Sequence, residues 1–122
     1  MDKRTLQIIC TTIGKGRRHD FHLFKQSETF FKVDTQVIVD SGYQGIKKIH
    51  PNTKHPKRGS KNRPLIQIEK QQNRTINSER VMVEHVIRCL KIFKIIADKY
   101  RNRRKRFGLR LNLIAAIYNY QL

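Results

Sequence analysis

Two acidic residues stand where chemistry is possible. Asp40 follows the run Val37-Ile38-Val39 and precedes Ser41-Gly42-Tyr43-Gln44-Gly45. Glu84 lies in the stretch N-S-E-R-V-M-V-E-H-V-I-R-C-L-K-I-F-K, with Arg80 four residues before it and Lys91 seven after. On a helical wheel at about 100° per residue, Arg80, Glu84 and Lys91 fall within roughly 40° of one another. A carboxylate flanked by two cations, joined by a second carboxylate from another element, can serve metal ions and phosphates. Acidic oxygens are the ligands that Mg²⁺ and Mn²⁺ prefer. Two such ions about 3.5–4 Å apart can activate a water or a 3′-hydroxyl and stabilise the leaving oxygen in phosphoryl transfer. Each residue also has a plainer reading. Asp is common at the start of a turn such as the one before Gly42. Arg80 and Glu84 at i,i+4 can form a solvated pair, worth under about 1 kcal/mol. Taken one at a time, the plainer readings suffice; the chemistry requires both acids together.

The elements that must position these residues follow from local pattern. Val83, Val86, Ile87, Leu90 and Phe93 gather on one helical face, which predicts an amphipathic helix from Asn77 or Ser78, as caps, to about Ile96. The run Val33 to Asp40 reads as a strand, and its unalternating Val-Ile-Val centre suits burial on both faces. Ligands of open α/β sheets bind beyond the carboxyl ends of strands, which is where this places Asp40. Residues 5–13, T-L-Q-I-I-C-T-T-I, are β-rich and predict another strand after a turn at Asp2-Lys3-Arg4. Asp20 is placed to cap a helix from Phe21 to Glu28. Ile46 to His50 predicts a short helix, Leu65 to Asn73 a polar helix, and Leu109 to Tyr120 a packed final helix with Leu111, Ile114, Ala115 and Tyr118 inward. Tyr43 either packs on a neighbouring helix or stacks on a base or sugar. The five histidines show no metal-ligand spacing.

Length and charge bound the partners. A chain of 122 residues is one small domain or part of one. Its net charge of +18 and pI near 10.6 call for a polyanion. Two basic stretches carry much of that charge. Residues 51–64, P-N-T-K-H-P-K-R-G-S-K-N-R-P, form an exposed loop with Lys57 and Arg58. Residues 98–106, D-K-Y-R-N-R-R-K-R, contain Arg101, Arg103, Arg104 and Arg106. Both are placed for contact with backbone phosphates. No stretch approaches the roughly 18 apolar residues of a membrane span, and residues 1–10 lack the apolar run of a signal peptide. Cys10 and Cys89 form no metal or redox pattern, so both are expected reduced and buried, in a cytosolic protein. Charge alone leaves a DNA enzyme, a non-catalytic nucleic-acid binder and a ribosomal-type RNA binder open. The last is weakened by the lack of an aromatic stacking platform.

In this order and spacing the motifs resemble a DDE transposase of a bacterial insertion sequence. V-I-V-D-S-G-Y-Q-G is similar to the segment bearing the second catalytic Asp, at Asp40. Arg80, Glu84 and Lys91 match the family's Arg, catalytic Glu and Lys. Asn77 stands where many relatives have Tyr and a subgroup has Asn. G-R-R-H-D-F-H-L-F and Y-R-N-R-R-K-R-F-G-L also look like that subgroup. The resemblance implies an RNase-H-like α/β fold, a mixed sheet with flanking helices, and Mg²⁺ or Mn²⁺ held by Asp40 and Glu84. It implies DNA at insertion-sequence ends as partner, and a bacterial cytoplasm or nucleoid as location. It also implies a first catalytic Asp on a strand ahead of residues 5–13. Asp2, in a turn, and Asp20, at a cap, are poor substitutes for it. The expectation is therefore one partial catalytic domain over residues 1–122, lacking its first strands. It would either leave a gap in its sheet or pair with the missing N-terminal half or another transposase chain, and it would be inactive alone.

Overall fold

Among the described residues, seven short or medium elements follow one another: α1 (Asp20–Gln26), β1 (Val37–Ile38), a 3-10 turn (Ile46–Lys48), β2 (Thr53–Lys54), α2 (Gln67–Lys91), α3 (Lys94–Ala97) and α4 (Phe107–Tyr120). They come from a computed structural model that describes residues 1–14, 16–97 and 106–122. The described residues form two units, Gly14–Arg80 and Met1–Ile13 with Val81–Leu122.

In the Gly14–Arg80 unit, α1 starts one residue earlier than expected. The cap is His19, not Asp20: its extended backbone lets ring Nδ1 accept the Phe21 N–H at 3.4 Å. Asp20 instead occupies the first turn, where a carboxylate suits the helix dipole. The helix ends at Gln26, short of Glu28, whose φ of 49° is left-handed. β1 and β2 are parallel, Val37 opposite Thr53 and Ile38 opposite Lys54. Val37 N–H reaches Asn52 C=O and Val39 N–H reaches Lys54 C=O, both at 3.0 Å. The expected strand from Val33 to Asp40, buried on both faces, is thus cut to two half-exposed residues. Its partner offers only two residues, and among the described residues β1 has no strand on its other side. β2 itself lies within the stretch expected to be loop.

Ile46 is fully buried at the start of the 3-10 turn, and His50 closes it with an N–H bond to Ile46 C=O at 2.8 Å. His50 is buried because both ends are satisfied: a ring nitrogen meets Thr35 C=O at 2.6 Å and Phe31 meets the ring edge-on. Thr53 adds a hydroxyl bond to His50 C=O at 2.7 Å.

Helix α2 corrects two expectations at once. The polar helix expected over Leu65 to Asn73 and the helix expected from Asn77 are one helix of 25 residues. Its start is set by Glu69, whose Oε2 accepts the Ile66 N–H at 3.3 Å, half of a capping box. No Pro or Gly interrupts residues 67–91, so Asn77 and Ser78 are exposed mid-helix residues rather than caps. The helix stops at Lys91, not Ile96. Ile92 and Phe93 close a tight turn through bonds to Cys89 and Leu90 C=O before α3 begins.

In the second unit, Asp2 folds the expected turn, its Oδ1 accepting the Arg4 N–H at 2.7 Å. Those bonds hold its carboxyl below the usual range, Arg4 N–H foremost. Residues 5–13 are not a strand. Among the described residues no backbone–backbone bond reaches residues 8–13. They are instead tied to α4. Asn119 takes the Ile8 N–H and donates to the Ile8 C=O, each at 2.8 Å, and Thr11 hydroxyl donates to Asn112. Asn112 and Asn119 are seven residues apart, on one face of α4. That is about 10.5 Å of helix rise, and the three steps from Ile8 to Thr11 span about 10 Å. The extended segment and the helix face therefore match in length, in opposite directions. A groove of about 400 Å³ lies along them beside Ala115 and Ala116. The buried apolar residues of this unit are Val86, Ile114 and Ala115. Leu111 and Tyr118 are half-buried beside them, as the α4 pattern predicts, whereas Ile87 and Phe93 remain exposed. Both cysteines are free and exposed, against expectation. Cys10 lies on a segment that no sheet covers, and around Cys89 only Val86 of α2 is buried.

Candidate active site

Asp40 comes directly after the last ladder bond of β1. Its Oδ1 accepts the Gly42 N–H at 2.8 Å and its C=O accepts the Tyr43 N–H at 3.3 Å, so the side chain shapes its own turn. The two glycines of S-G-Y-Q-G serve different ends. Gly45, with φ of 89°, is needed for its dihedral. Gly42 has no left-handed φ, but a side chain there would be a tight fit that its neighbours would have to yield to by a few tenths of an ångström. A Cβ there would stand 3.0 Å from Asp40 Oδ1 and 3.1 Å from the His19 ring. Among the described residues no hydrogen bond occupies Asp40 Oδ2, and the side chain is half-exposed.

Tyr43 sits between this turn and α1. Its ring meets Phe21 at 5.5 Å and Phe24 at 6.1 Å between centroids, so of the two readings of Tyr43 the packing one describes this structure. Burial raises the phenol above its ordinary pKa. The carboxylates of Asp20 and Asp40 push the same way and the Arg80 guanidinium opposes them. Asp20, Asp40 and Arg80 thus share one electrostatic neighbourhood around the Tyr43 hydroxyl.

The helix places Arg80, Glu84 and Lys91 on one stripe by its periodicity. Arg80 is half-buried in the Gly14–Arg80 unit. Glu84 and Lys91 are exposed and belong to the other unit. Lys91, in the last turn of α2, suits the negative end of the helix dipole. Of the other cations, Lys57 is committed: its Nζ meets Glu69 Oε1 at 3.0 Å, and Asn73 grips its backbone from α2 at 2.8 and 2.9 Å. Lys54 pairs with Glu79 at 3.7 Å. The loop expected to be free is therefore fastened to α2 at these points. Arg58 is exposed, and Arg106 is exposed at the N-terminus of α4. Arg101, Arg103 and Arg104 lie outside the described residues.

Several positioning residues escape a reading that looks for chemistry. Asn73, Asn112 and Asn119 act through neighbours distant in sequence. Glu69 did carry a legible signal, three residues after Ile66 and five after Pro64. The donor set for a divalent ion is incomplete in what is described. Among the described residues no group of three or more His, Cys, Asp or Glu side chains could hold a metal, and one Asp40 oxygen is committed to Gly42. No helix among them is long and apolar enough to cross a membrane.

Comparisons with known proteins bear on the same residues. The chain is 53% identical over 120 residues to a protein named "Probable transposase for insertion sequence element IS702" from Microchaete diplosiphon. The match covers 98% of this chain and 44% of that protein, so the chain spans less than half the length of this relative. No solved structure matches. The family described as DDE superfamily endonuclease matches residues 1–119, and with nearly its whole length inside that match the chain belongs to the DDE superfamily of endonucleases.

Proposed function

We propose that the chain is part of an insertion-sequence transposase of RNase-H-like α/β fold that acts on DNA. In this reading Asp40 and Glu84 are two carboxylates of a centre for Mg²⁺- or Mn²⁺-dependent cleavage and strand transfer. The observation that carries the proposal is the Asp40 turn: a half-exposed carboxylate with one oxygen that no hydrogen bond among the described residues occupies, beyond the carboxyl end of a parallel strand, in a member of the endonuclease family. Arg80 and Lys91 position phosphates or the Glu84 carboxylate. Arg58, Arg101, Arg103, Arg104 and Arg106 meet the DNA backbone, while Lys57, bonded to Glu69, chiefly holds its loop in place. The protein works in the bacterial cytoplasm, on the nucleoid when bound to DNA.

We propose that cleavage and joining need a third carboxylate beside Asp40 and Glu84, so that the 122-residue chain by itself neither cleaves nor joins DNA. The remaining acid comes from an N-terminal half or from another transposase chain. Titration calorimetry with Mn²⁺ tests the site. Binding that weakens at least tenfold in Asp40→Ala and in Glu84→Ala supports it, and identical binding in wild type and both variants refutes it. Cleavage of insertion-end DNA by the purified chain would refute its proposed inactivity.

A second reading is favoured by the +18 charge. Here the chain is a non-catalytic DNA-binding protein. It predicts steeply salt-dependent, sequence-tolerant binding that Asp40→Ala leaves unchanged.

A further inference from the structure

The stretch R-R-H-D-F-H-L-F, residues 17–24, has no part in the chemistry proposed above, yet it packs against the turn that carries Asp40. Phe21 and Phe24, one helical turn apart on α1, both meet Tyr43. Leu23 lies against Gly14 so closely that a Cβ on that glycine would collide with it. These contacts fix the orientation of α1. They leave His19, at its N-terminus, facing Gly42. Ring atoms Cε1 and Nε2 stand 3.1 and 3.3 Å from the point a Gly42 Cβ would occupy, and Asp40 Oδ1 stands 3.0 Å from the same point. One small gap at Gly42 is thus walled by the His19 ring on one side and the Asp40 carboxylate on the other.

The ring is held by its own hydrogen bond. Nδ1 accepts the Phe21 N–H, so in the neutral imidazole the proton is on Nε2. The edge turned to Gly42 is then the donor edge. A ring anchored to a helix terminus and standing beside Gly42, though itself exposed, narrows the space into which that peptide can swing. The Gly42 N–H in turn holds Asp40 Oδ1 at 2.8 Å, leaving Oδ2 directed away from this bond.

We propose that His19 is a positioning residue for Asp40, acting through Gly42, and that α1 exists in this chain to present it. The inference rests on the reading of Asp40 as a working carboxylate. It explains two features that charge and spacing leave without a reason: why residue 42 is glycine without needing a glycine dihedral, and why a histidine caps α1 where Asn, Asp or Ser would serve. Asp20, Tyr43 and Arg80 are the other polar groups around the turn, and none of them takes the place of the ring at Gly42.

The test uses the ¹⁵N-labelled 122-residue chain. His19→Asn keeps a side-chain acceptor for the cap and removes the ring. The expected result is unchanged protection of the α1 amides and about tenfold faster exchange of the Gly42 amide, the equivalent of about 1.4 kcal/mol. Gly42→Ala, read in the chain labelled with ¹³C as well, is a second route, and protection of the α1 amides in each His19 variant shows whether α1 stays folded. The added Cβ is expected to shift the Asp40 carboxyl resonance in wild type and to do so much less in a His19→Ala background. Gly42 exchange unaltered in His19→Asn, or an equal Gly42→Ala effect in both backgrounds, overturns the proposal. Free Mn²⁺ separates it from the Asp40 reading. Broadening at Gly42 and Tyr43 should vanish in Asp40→Asn and weaken in His19→Asn. Broadening that survives in Asp40→Asn sinks the metal role of Asp40, while amide exchange still decides whether His19 positions it.

Discussion

Asn73 on α2 and Asn119 on α4 each grip one residue of an extended segment by both its backbone groups. Asn73 takes the N–H of Lys57 at 2.8 Å and donates to its C=O at 2.9 Å. Asn119 does the same to Ile8, at 2.8 Å in each direction. A side-chain amide offers one acceptor and a donor side by side, as a peptide group does. In both places it stands in for one rung of a neighbouring strand. The settings differ. The Lys57 grip is exposed, but the same residue also reaches Glu69 through its ammonium at 3.0 Å. The Ile8 grip is partly buried and, among the described residues, its neighbouring hydrogen bond is the Thr11–Asn112 contact. A β-competent segment that lacks a sheet relies on side chains for its satisfaction, whereas a basic loop carries its own second anchor.

The sharpest way to break this comparison is Asn119→Ala. It leaves the Ile8 N–H and C=O without their partners in a partly covered place, a loss of about 2 kcal/mol. Exchange of the Ile8 amide should accelerate about thirtyfold, read by hydrogen exchange with NMR detection. Asn119→Asp, which keeps an acceptor and removes the donor, should fall between. An Ile8 amide as protected in Asn119→Ala as in wild type would mean that apolar contacts alone hold the segment. Asn73→Ala removes an equal number of bonds but should do less. Water can replace them at an exposed site, and Lys57–Glu69 keeps the loop near α2. An increase of less than about tenfold at the Lys57 amide, near 1 kcal/mol, is expected. An equal or larger effect than at Ile8 would show that the ion pair is no second anchor.

These two grips also mark what could be read in the chain beforehand. Residues 5–13 have every local property of a strand, and β propensity describes fitness for a pleated, half-buried surface rather than a backbone command. With no neighbouring strand among the described residues, the same residues lie along α4 on two asparagines. The long helix was legible in its apolar spacing at Val83, Val86 and Leu90. Its start carried one legible signal, Glu69 three residues after Ile66, but Asn77 and Ser78 are more conspicuous cap types and drew the expected start to themselves. α4 was the clearest element, with Leu111, Ile114, Ala115 and Tyr118 all turned inward. At the candidate site, Asp40 and its turn could be read from V-I-V-D-S-G. The place of His19 beside Gly42 could not, because the 22 residues between them give no hint that the two are neighbours.

The smallest expected effect is a difference in acid response between the two grips. Glu69 is held below its ordinary carboxylate pKa, chiefly by the hydrogen bond from Lys57 and next by the Ile66 N–H, with burial opposing. A carboxylate whose folded pKa is depressed stabilises the fold above its unfolded value, and that contribution disappears as pH falls through the depressed one. The protection factor at the Lys57 amide should therefore decline as pH drops below about 4.5, the ordinary value. That at Ile8 should not follow, since neither Asn119 nor Asn112 titrates. Asp2, whose turn precedes Ile8, is also acid-sensitive, so the comparison is made in an Asp2→Asn background. Glu69→Gln should abolish the decline at Lys57 while keeping an acceptor for the Ile66 N–H, at the cost of a lower protection throughout. A decline that persists in Glu69→Gln would assign the acid response to another group. It would leave the Asn73 bonds as the hold on Lys57, with Lys54–Glu79 still tying the loop to α2.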